Sequence, residues 1–318
     1  MKQFLKFSFL AVLLAPFAWG DQNATFLDKV IPSDAVNSGH FGAAVAVWED
    51  LSVVGAPNAD AAYVYREEHN GSMTKIAKLT PSDGGSNSQF GVSVSMTDGI
   101  IAVGAKWSDQ GGHSNSGATY LYQVVPDGTV HYLHKVTAHD ANATDYFGTS
   151  VSFSHGILAV GAPSDDHSGR NDAGSAYVYR LEHNGSLSPL GKVTASDANA
   201  SDEFGHSVST SGNLLAVGAY DDDHAGGVNA GSAYLFQLEQ NGSVTELGKV
   251  TASDSSASDK FGSSISLSGN LLAVGATWSD QGGHSNSGAA YLFRLEQNGS
   301  ISFLDKLKDS PAGAKLGH

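Results

Sequence analysis

Cysteine is absent from this sequence, which excludes disulfide bonds, cysteine nucleophiles and thiolate metal sites. An exported protein without disulfides needs a large hydrophobic core to be stable. The chain has 318 residues, of which 41% are hydrophobic and 15% are charged. This length and composition can supply such a core.

Basic residues are few, because 17 Lys and Arg residues stand against 32 Asp and Glu residues, a formal net charge of −15. An acidic surface repels nucleic acid and anionic lipid, so we expect neither as a partner. The charge is compatible with cations, neutral sugars or the basic face of another protein.

Long hydrophobic runs are missing after the N-terminus. The first residues combine two lysines, an apolar stretch at Leu10–Leu14 and a small-x-small site at Ala18–Gly20, which predicts a signal peptide over residues 1–20 and a domain over 21–318. No later stretch approaches the roughly 20 apolar residues of a membrane-spanning helix. We therefore expect no transmembrane segment and a secreted, extracellular or cell-surface protein, or a periplasmic one in a bacterial source.

Linear catalytic motifs are also missing. The sequence has no HExxH zinc motif, no GxSxG nucleophile turn and no GxxxxGK phosphate loop. A site assembled from several loops would escape such a search. We nevertheless predict that the protein is not an enzyme.

What the sequence does contain is one unit repeated five times. A Phe-Gly pair opens each unit and a Gly-Ala pair follows it at a constant offset of 14 residues. The first unit is shorter by eight residues, all of them missing between its Gly-Ala pair and the Tyr that follows. One loop therefore absorbs the whole difference, as expected for a loop outside a packed framework. The units start near Phe41, Phe90, Phe147, Phe204 and Phe261.

Four short strands are predicted in each unit. In the fourth unit they cover Ser207–Thr210, Leu214–Ala219, Ser232–Glu239 and Ser243–Ala252. An Asn-Gly pair between the last two strands predicts a type I′ hairpin turn. The second and third strands are almost continuously apolar, which indicates sheets covered on both faces. Stacking such sheets around an axis is the solution found in a β-propeller of four-stranded antiparallel blades.

The Phe-Gly and Gly-Ala pairs resemble the FG-GAP repeats of the integrin α-subunit propeller. This resemblance implies a β-propeller, usually of seven blades with one unit per blade, whose loop-bearing end meets the ligand in integrins. The calcium loops of that family do not carry over, because the first hairpin turns here, such as Ser211-Gly212-Asn213, are too short. The resemblance also assigns each opening Phe a structural position between blades.

The number of blades stays open at this point. Five complete repeats follow a segment at Phe26–Val30 that matches the fourth strand at Phe303–Leu307. A truncated six- or seven-bladed ring, a five-bladed ring and an open arc are all compatible with this pattern.

Candidate binding residues lie in the loops between the second and third strands. Two of these loops share the sequence WSDQGGHSNSGA, at Trp107–Ala118 and Trp278–Ala289. An exposed Trp beside Asp and His is able to stack on a sugar and bond its hydroxyls. The alternative, which we favour from the sequence, is a recent duplication in which each Trp folds over the blade edge as a plug. The candidate ligand-binding residues are Trp107, Asp109, His113, Trp278, Asp280 and His284.

A calcium site is a second possibility in the fourth unit. Asp221, Asp223 and Gly226 match the start of a calcium loop, but Ala225 and Ser232 stand where further ligands are needed. The alternative is that these carboxylates cap turns. We expect no other cofactor.

The leading functional hypothesis is an interaction or adhesion module that binds an extracellular protein or carbohydrate through its loops. The alternatives are a metal-dependent hydrolase with its site at the propeller channel and a structural fragment of a larger surface protein. A fold alone does not decide between them.

Overall fold

The computed structural model describes residues 29–32, 34–239, 242–280 and 284–307. Within these ranges the chain forms five antiparallel sheets of four strands, with the strands of each sheet in sequence order. The predicted all-β class and the four-stranded propeller blades are confirmed. The signal peptide predicted over residues 1–20 lies outside the described residues.

Each sheet is one blade, numbered 1 to 5 in chain order. Blades 1 and 2 contain β1 (Val45–Trp48), β2 (Leu51–Ala56), a 3-10 turn (Pro57–Ala59), β3 (Ala61–Glu67), β4 (Met73–Leu79), β5 (Phe90–Thr97), β6 (Ile100–Ala105), β7 (Ala118–Val124) and β8 (Val130–Val136). Blades 3 to 5 contain β9 (Ser150–Ser154), β10 (Ile157–Ala162), β11 (Ser175–Leu181), β12 (Leu187–Val193), β13 (Phe204–Ser211), β14 (Leu214–Ala219), β15 (Ser232–Leu238), β16 (Val244–Val250), β17 (Phe261–Ser268), β18 (Leu271–Ala276), β19 (Ala289–Leu295) and β20 (Ile301–Leu307).

The turn between the third and fourth strands differs from the sequence prediction. In blade 3 the Gly185 amide donates to the Glu182 carbonyl at 2.8 Å, and Gly185 alone takes a left-handed φ, of 81°, while Asn184 does not. This is a type I turn followed by a left-handed glycine, the common three-residue hairpin. The Asn184 side chain accepts from the Ser186 amide at 2.9 Å, so the type I′ prediction was wrong.

The second and third strands form the core of each blade. In blade 4, β14 is buried at all six positions and β15 at six of seven. The apolar side chains pack in clusters that cross from one blade to the next; Val178 of blade 3, for example, belongs to the same cluster as Leu215 of blade 4. Sheets covered on both faces explain the continuous apolar runs of the sequence.

The opening phenylalanines occupy these interfaces. Phe90, Phe147, Phe204 and Phe261 have no exposed surface, and Phe204 belongs to the cluster shared by blades 3 and 4. Phe41 at the start of blade 1 is only half-buried. Its ring meets the Tyr63 ring edge-on at 5.5 Å.

The first strands are joined by serine side chains. The Ser95 hydroxyl accepts from the Phe153 amide of the next blade at 2.9 Å, and Ser152 does the same for the Thr210 amide. Backbone groups that a sheet edge would leave unpaired are thereby satisfied between blades.

A recurring clasp fixes the linker between consecutive blades. In the linker that enters blade 3, Asp140 accepts from the Tyr177 hydroxyl of β11 at 2.7 Å and pairs with Lys192 of β12 at 2.7 Å. The equivalent groups are Asp83 with Tyr120 and Lys135, Asp197 with Tyr234 and Lys249, and Asp254 with Tyr291 and Lys306.

The stack has open faces at both ends. Val47 of β1 and Leu307 of β20 are more than half exposed, and among the described residues no sheet covers them, so the five blades do not close into a ring there. No helix in the described ranges is long and apolar enough to pass through a membrane.

Candidate ligand-binding surface

The loops between second and third strands lie at one end of the blades together with the interblade linkers. We call this surface the loop end; its loops are 57–60, 106–117, 163–174, 220–231 and 277–288. Backbone hydrogen bonds join the loops of blades 2, 3 and 4 to the next linker, as between the Thr144 amide and the Ser114 carbonyl at 2.8 Å and between the Ser201 amide and the Asn171 carbonyl at 2.8 Å. Both kinds of segment therefore lie at the same end of the blades.

An aspartate inside each long loop braces it from within. Asp109 accepts from the Asn115 amide at 2.8 Å, and Asp280 accepts from the Asn286 amide at 2.7 Å. Both residues were candidates for ligand contacts, and the structure gives each of them a role in shaping the loop. A loop braced in this way presents its remaining side chains in a fixed arrangement.

The two tryptophans of the identical loops are exposed on the loop end. Trp107 is 42% exposed and Trp278 is 54% exposed. Their backbone amides donate to the adjoining linkers, Trp107 to the Ser88 carbonyl at 3.0 Å and Trp278 to the Asp259 carbonyl at 3.2 Å. This exposure favours the binding interpretation over a plug at the blade edge.

The two candidate histidines are at the tips of the same loops. His113 exchanges two backbone hydrogen bonds with Gln110, at 2.8 and 3.1 Å, and its side chain is exposed, like that of His284. They stand on the same surface as the tryptophans.

Trp107 borders two clefts. The larger, about 740 Å³, is bordered by Asn58, Asp60, Asn87 and Gln89. The smaller, about 420 Å³, is bordered by side chains that include those of Ser86, Ser108, Asp109 and Asn115. An aromatic ring flanked by amides, hydroxyls and carboxylates can orient a polar ligand.

Trp278 has different surroundings although its loop has the same sequence. The Lys260 ammonium lies 5.7 Å from the Trp278 ring and 4.9 Å from the ring of Tyr220, and it also pairs with Asp221. The face of Trp278 is therefore shared with a cation supplied by the protein itself.

The two carboxylates of the predicted calcium loop do not converge. Asp221 pairs with Lys260, whereas Asp223 accepts from the Asn229 amide at 2.6 Å, the same brace that is found in the other long loops. In the described part of the chain, no group of three or more His, Cys, Asp or Glu side chains is arranged to hold a metal ion. Calcium binding stays a prediction that would need ligands from elsewhere.

A buried acidic group in blade 3 was missed by the sequence reasoning. Asp165 of the loop 163–174 is buried, and Lys192 lies 2.8 Å from it as well as 2.7 Å from Asp140. Burial, together with the negative charge of Asp165, raises the pKa of nearby Asp145 to about 6. At the position of Asp165, the two tryptophan loops have a serine instead. This difference between otherwise equivalent loops was the signal available in the sequence.

A family model for the FG-GAP repeat matches five segments, residues 25–72, 73–122, 133–179, 188–236 and 244–293. The chain belongs to the FG-GAP repeat family. No curated protein sequence matches it.

Two solved structures share the fold of this FG-GAP chain. A functionally unknown protein from Desulfotomaculum acetoxidans aligns at 13% identity and a TM-score of 0.52, over 82% of this chain and 68% of its own. A protein from Lactobacillus plantarum aligns at 17% identity and a TM-score of 0.52, over 82% of this chain and 70% of its own. At these identities the likeness concerns the fold alone.

The two signature pairs of the FG-GAP repeat contact each other across the interfaces. A Cβ atom on Gly55 of blade 1 would overlap the carbonyl oxygen of Gly91 in blade 2, and Gly161 stands in the same relation to Gly205. Only glycine allows the two backbones to approach this closely. The FG-GAP signature thus accounts for how blades pack, and the loop end carries the residues available for binding.

Proposed function

We propose that the protein is a secreted or cell-surface interaction module, with an adhesive role, that binds an extracellular protein or glycan through the loop end. The observation that carries this proposal is the pair of exposed tryptophans, Trp107 and Trp278, held on braced loops of one surface. Large aromatic side chains are enriched among the residues that dominate binding energies.

The architecture supports the same conclusion. Loops anchored to rigid blades form binding surfaces in many folds, because the scaffold fixes positions that the loop sequence alone would leave free. The excess of acidic residues favours neutral or basic partners over nucleic acid. We do not include catalysis in the proposed function.

The test is a binding screen of the purified chain against glycan and extracellular-matrix protein arrays at micromolar concentration. We expect at least one class to bind and the double variant Trp107→Ala/Trp278→Ala to lose at least about tenfold in affinity, as for removal of central aromatic contacts. His183→Ala at the exposed hairpin turn of blade 3 is the matched control at the opposite end and should leave binding unchanged. No binding in either array would overturn the proposal.

A further inference from the structure

The shortened loop of blade 1 leaves open space beside Trp107. In blades 2 to 5 a twelve-residue loop joins the second and third strands, but in blade 1 only residues 57–60 do so. The short loop reaches the next linker through one side chain: Asp60 accepts from the amide of Asn87, from the Ser88 hydroxyl at 3.0 Å and from the Phe90 amide at 3.2 Å. The larger cleft occupies the space next to this contact.

The interface beside Trp278 has a full-length loop where that of Trp107 has the short one, although Trp278 is itself 54% exposed. Blade 4 precedes it and has a full loop that begins at Tyr220. Lys260, which precedes Phe261 just as Gln89 precedes Phe90, lies between the rings of Tyr220 and Trp278. Each ring has a lysine ammonium nearby, Lys106 at 5.9 Å from Trp107 and Lys260 at 5.7 Å from Trp278. The two interfaces therefore differ in the preceding loop, which is short in blade 1 and full-length in blade 4, and in the residue before the Phe-Gly pair, which is neutral Gln89 in blade 2 and Lys260 in blade 5.

The groups around Trp107 fit a carbohydrate. A half-exposed indole ring offers an apolar face for the C–H groups of a sugar ring. The amides of Asn58, Asn87 and Gln89 supply both donors and acceptors for hydroxyl groups. The cleft of about 740 Å³ is within the range of about 300–1,000 Å³ found for small-ligand sites.

The charges at the site favour a neutral sugar. Lys106 lies 5.9 Å from the Trp107 ring, whereas Asp60 borders the larger cleft and Asp83 and Asp109 border the smaller one. Carboxylates near the ligand position disfavour an anionic sugar. The net charge of −15 disfavours anionic glycans at long range.

We propose that the interface of blades 1 and 2 is a carbohydrate site, an inference that rests on the function proposed above. This site binds a neutral oligosaccharide that lies over the Trp107 ring. The two clefts share Asn87 and Trp107 and therefore adjoin, so neighbouring sugar units lie one in each cleft. Trp278 is not part of this site.

The experiment measures the binding of cellotetraose, chitotetraose and mannotetraose by calorimetry, with each matching monosaccharide and a heparin tetrasaccharide for comparison. We expect at least one neutral tetrasaccharide to bind at least about tenfold more tightly than its monosaccharide. Trp107→Ala should weaken binding by at least about tenfold, whereas Trp278→Ala, in the identical loop, should change it less than about twofold.

A second variant tests the role of the missing loop segment. Replacing residues 57–60 by the twelve residues 106–117 should fill the larger cleft and abolish tetrasaccharide binding while Trp107 stays in place. An unchanged thermal melting profile shows that this variant is folded, and Asn87→Ala supplies a smaller change that should weaken binding about threefold or more.

The results separate this inference from the proposed function. Loss of binding in Trp278→Ala but not in Trp107→Ala, equal loss in both, or binding of the heparin tetrasaccharide alone would overturn the carbohydrate site and leave the loop end as the binding surface. Binding of a matrix protein with no neutral tetrasaccharide bound would do the same. No binding in any assay would overturn both.

Discussion

Two strands of this protein have the same sequence and different burial. β14 and β18 both read LLAVGA, and all six residues are buried in β14 whereas only three are buried in β18. Leu214 at the start of β14 is 7% exposed, and Leu271 at the same position of β18 is 44% exposed. Whether a strand is buried therefore depends on the neighbouring blade that packs against it, and not on its own sequence alone.

The outer strands show the same contrast. Val250 ends β16 in the interior of the stack and is buried, whereas its counterpart Leu307 ends β20 and is half exposed. Blades 4 and 5 are similarly apolar. The exposed face of blade 5 therefore has the composition of a blade–blade interface, but no neighbouring sheet packs against it among the described residues. This comparison between interior and end blades can be tested quantitatively.

The largest effect is expected from the opening phenylalanines. Phe204→Ala should lower the free energy of unfolding by about 3–5 kcal/mol, because the ring fills a closed interface that cannot collapse. Phe41→Ala should lower it by roughly half as much, since that ring is only half-buried. Urea denaturation measures both; equal losses would show that the end blade is as closely packed as the interior.

The leucine pair gives a sharper comparison, because its local sequences are identical. Leu214→Ala should cost about 2–4 kcal/mol of unfolding free energy. Leu271→Ala should cost less than about 1 kcal/mol, because much of that side chain is already in water. The measurement is again urea denaturation, and a cost at Leu271 that matches Leu214 would contradict the open face of blade 5.

The smallest effect concerns charge at the interior interface. Burial raises the pKa of Asp145 to about 6, whereas the same position in blade 2 is Ser88, which does not titrate. The folded state binds the carboxyl proton of Asp145 more tightly than the unfolded chain does. Asp145 therefore lowers the stability of the protein as pH rises from about 4 through 6. Asp145→Asn should therefore stabilise the protein by about 1 kcal/mol at pH 7.5 and leave it nearly unchanged at pH 4.

Asp140→Asn is the control for that measurement. Burial alone would raise the pKa of Asp140, but hydrogen bonds from Lys192 and Tyr177 outweigh it and hold the pKa below its ordinary value. This substitution should lower stability at pH 7.5, the opposite direction. Thermal unfolding at the two pH values distinguishes the two carboxylates, and the same sign for both would refute the assignment.

Much of the fold could be predicted because periodic features determine it. Phe204, the Gly-Ala pairs and the apolar second strands recur at fixed spacing, so packing between copies of one sheet follows from the sequence. The type I′ turn prediction failed because Asn184 is able to cap a type I turn with its side chain, which a dipeptide pattern does not distinguish.

The candidate site could be predicted only in part. The sequence located the loop shortening before Tyr63 and singled out Trp107, but it gave no indication that these two features meet at one interface. The burial of Asp165 was missed for a related reason, since its partners Asp140 and Lys192 come from distant segments. Both depend on which loop lies beside which linker, a property of the assembled blades.

The clasp between Asp140, Tyr177 and Lys192 determines where this chain can be divided. Its aspartate precedes the Phe-Gly pair of blade 3, whereas its tyrosine and lysine follow that pair. One clasp therefore spans the boundary between two repeats when each repeat is counted from its Phe-Gly pair. A segment that starts at Phe147 would lose the Asp140 carboxylate and leave Lys192 with Asp165 as its remaining acidic partner. The repeat unit that keeps the clasp intact therefore runs from the linker aspartate, Asp140, to the lysine in the fourth strand of the same blade, Lys192 of β12.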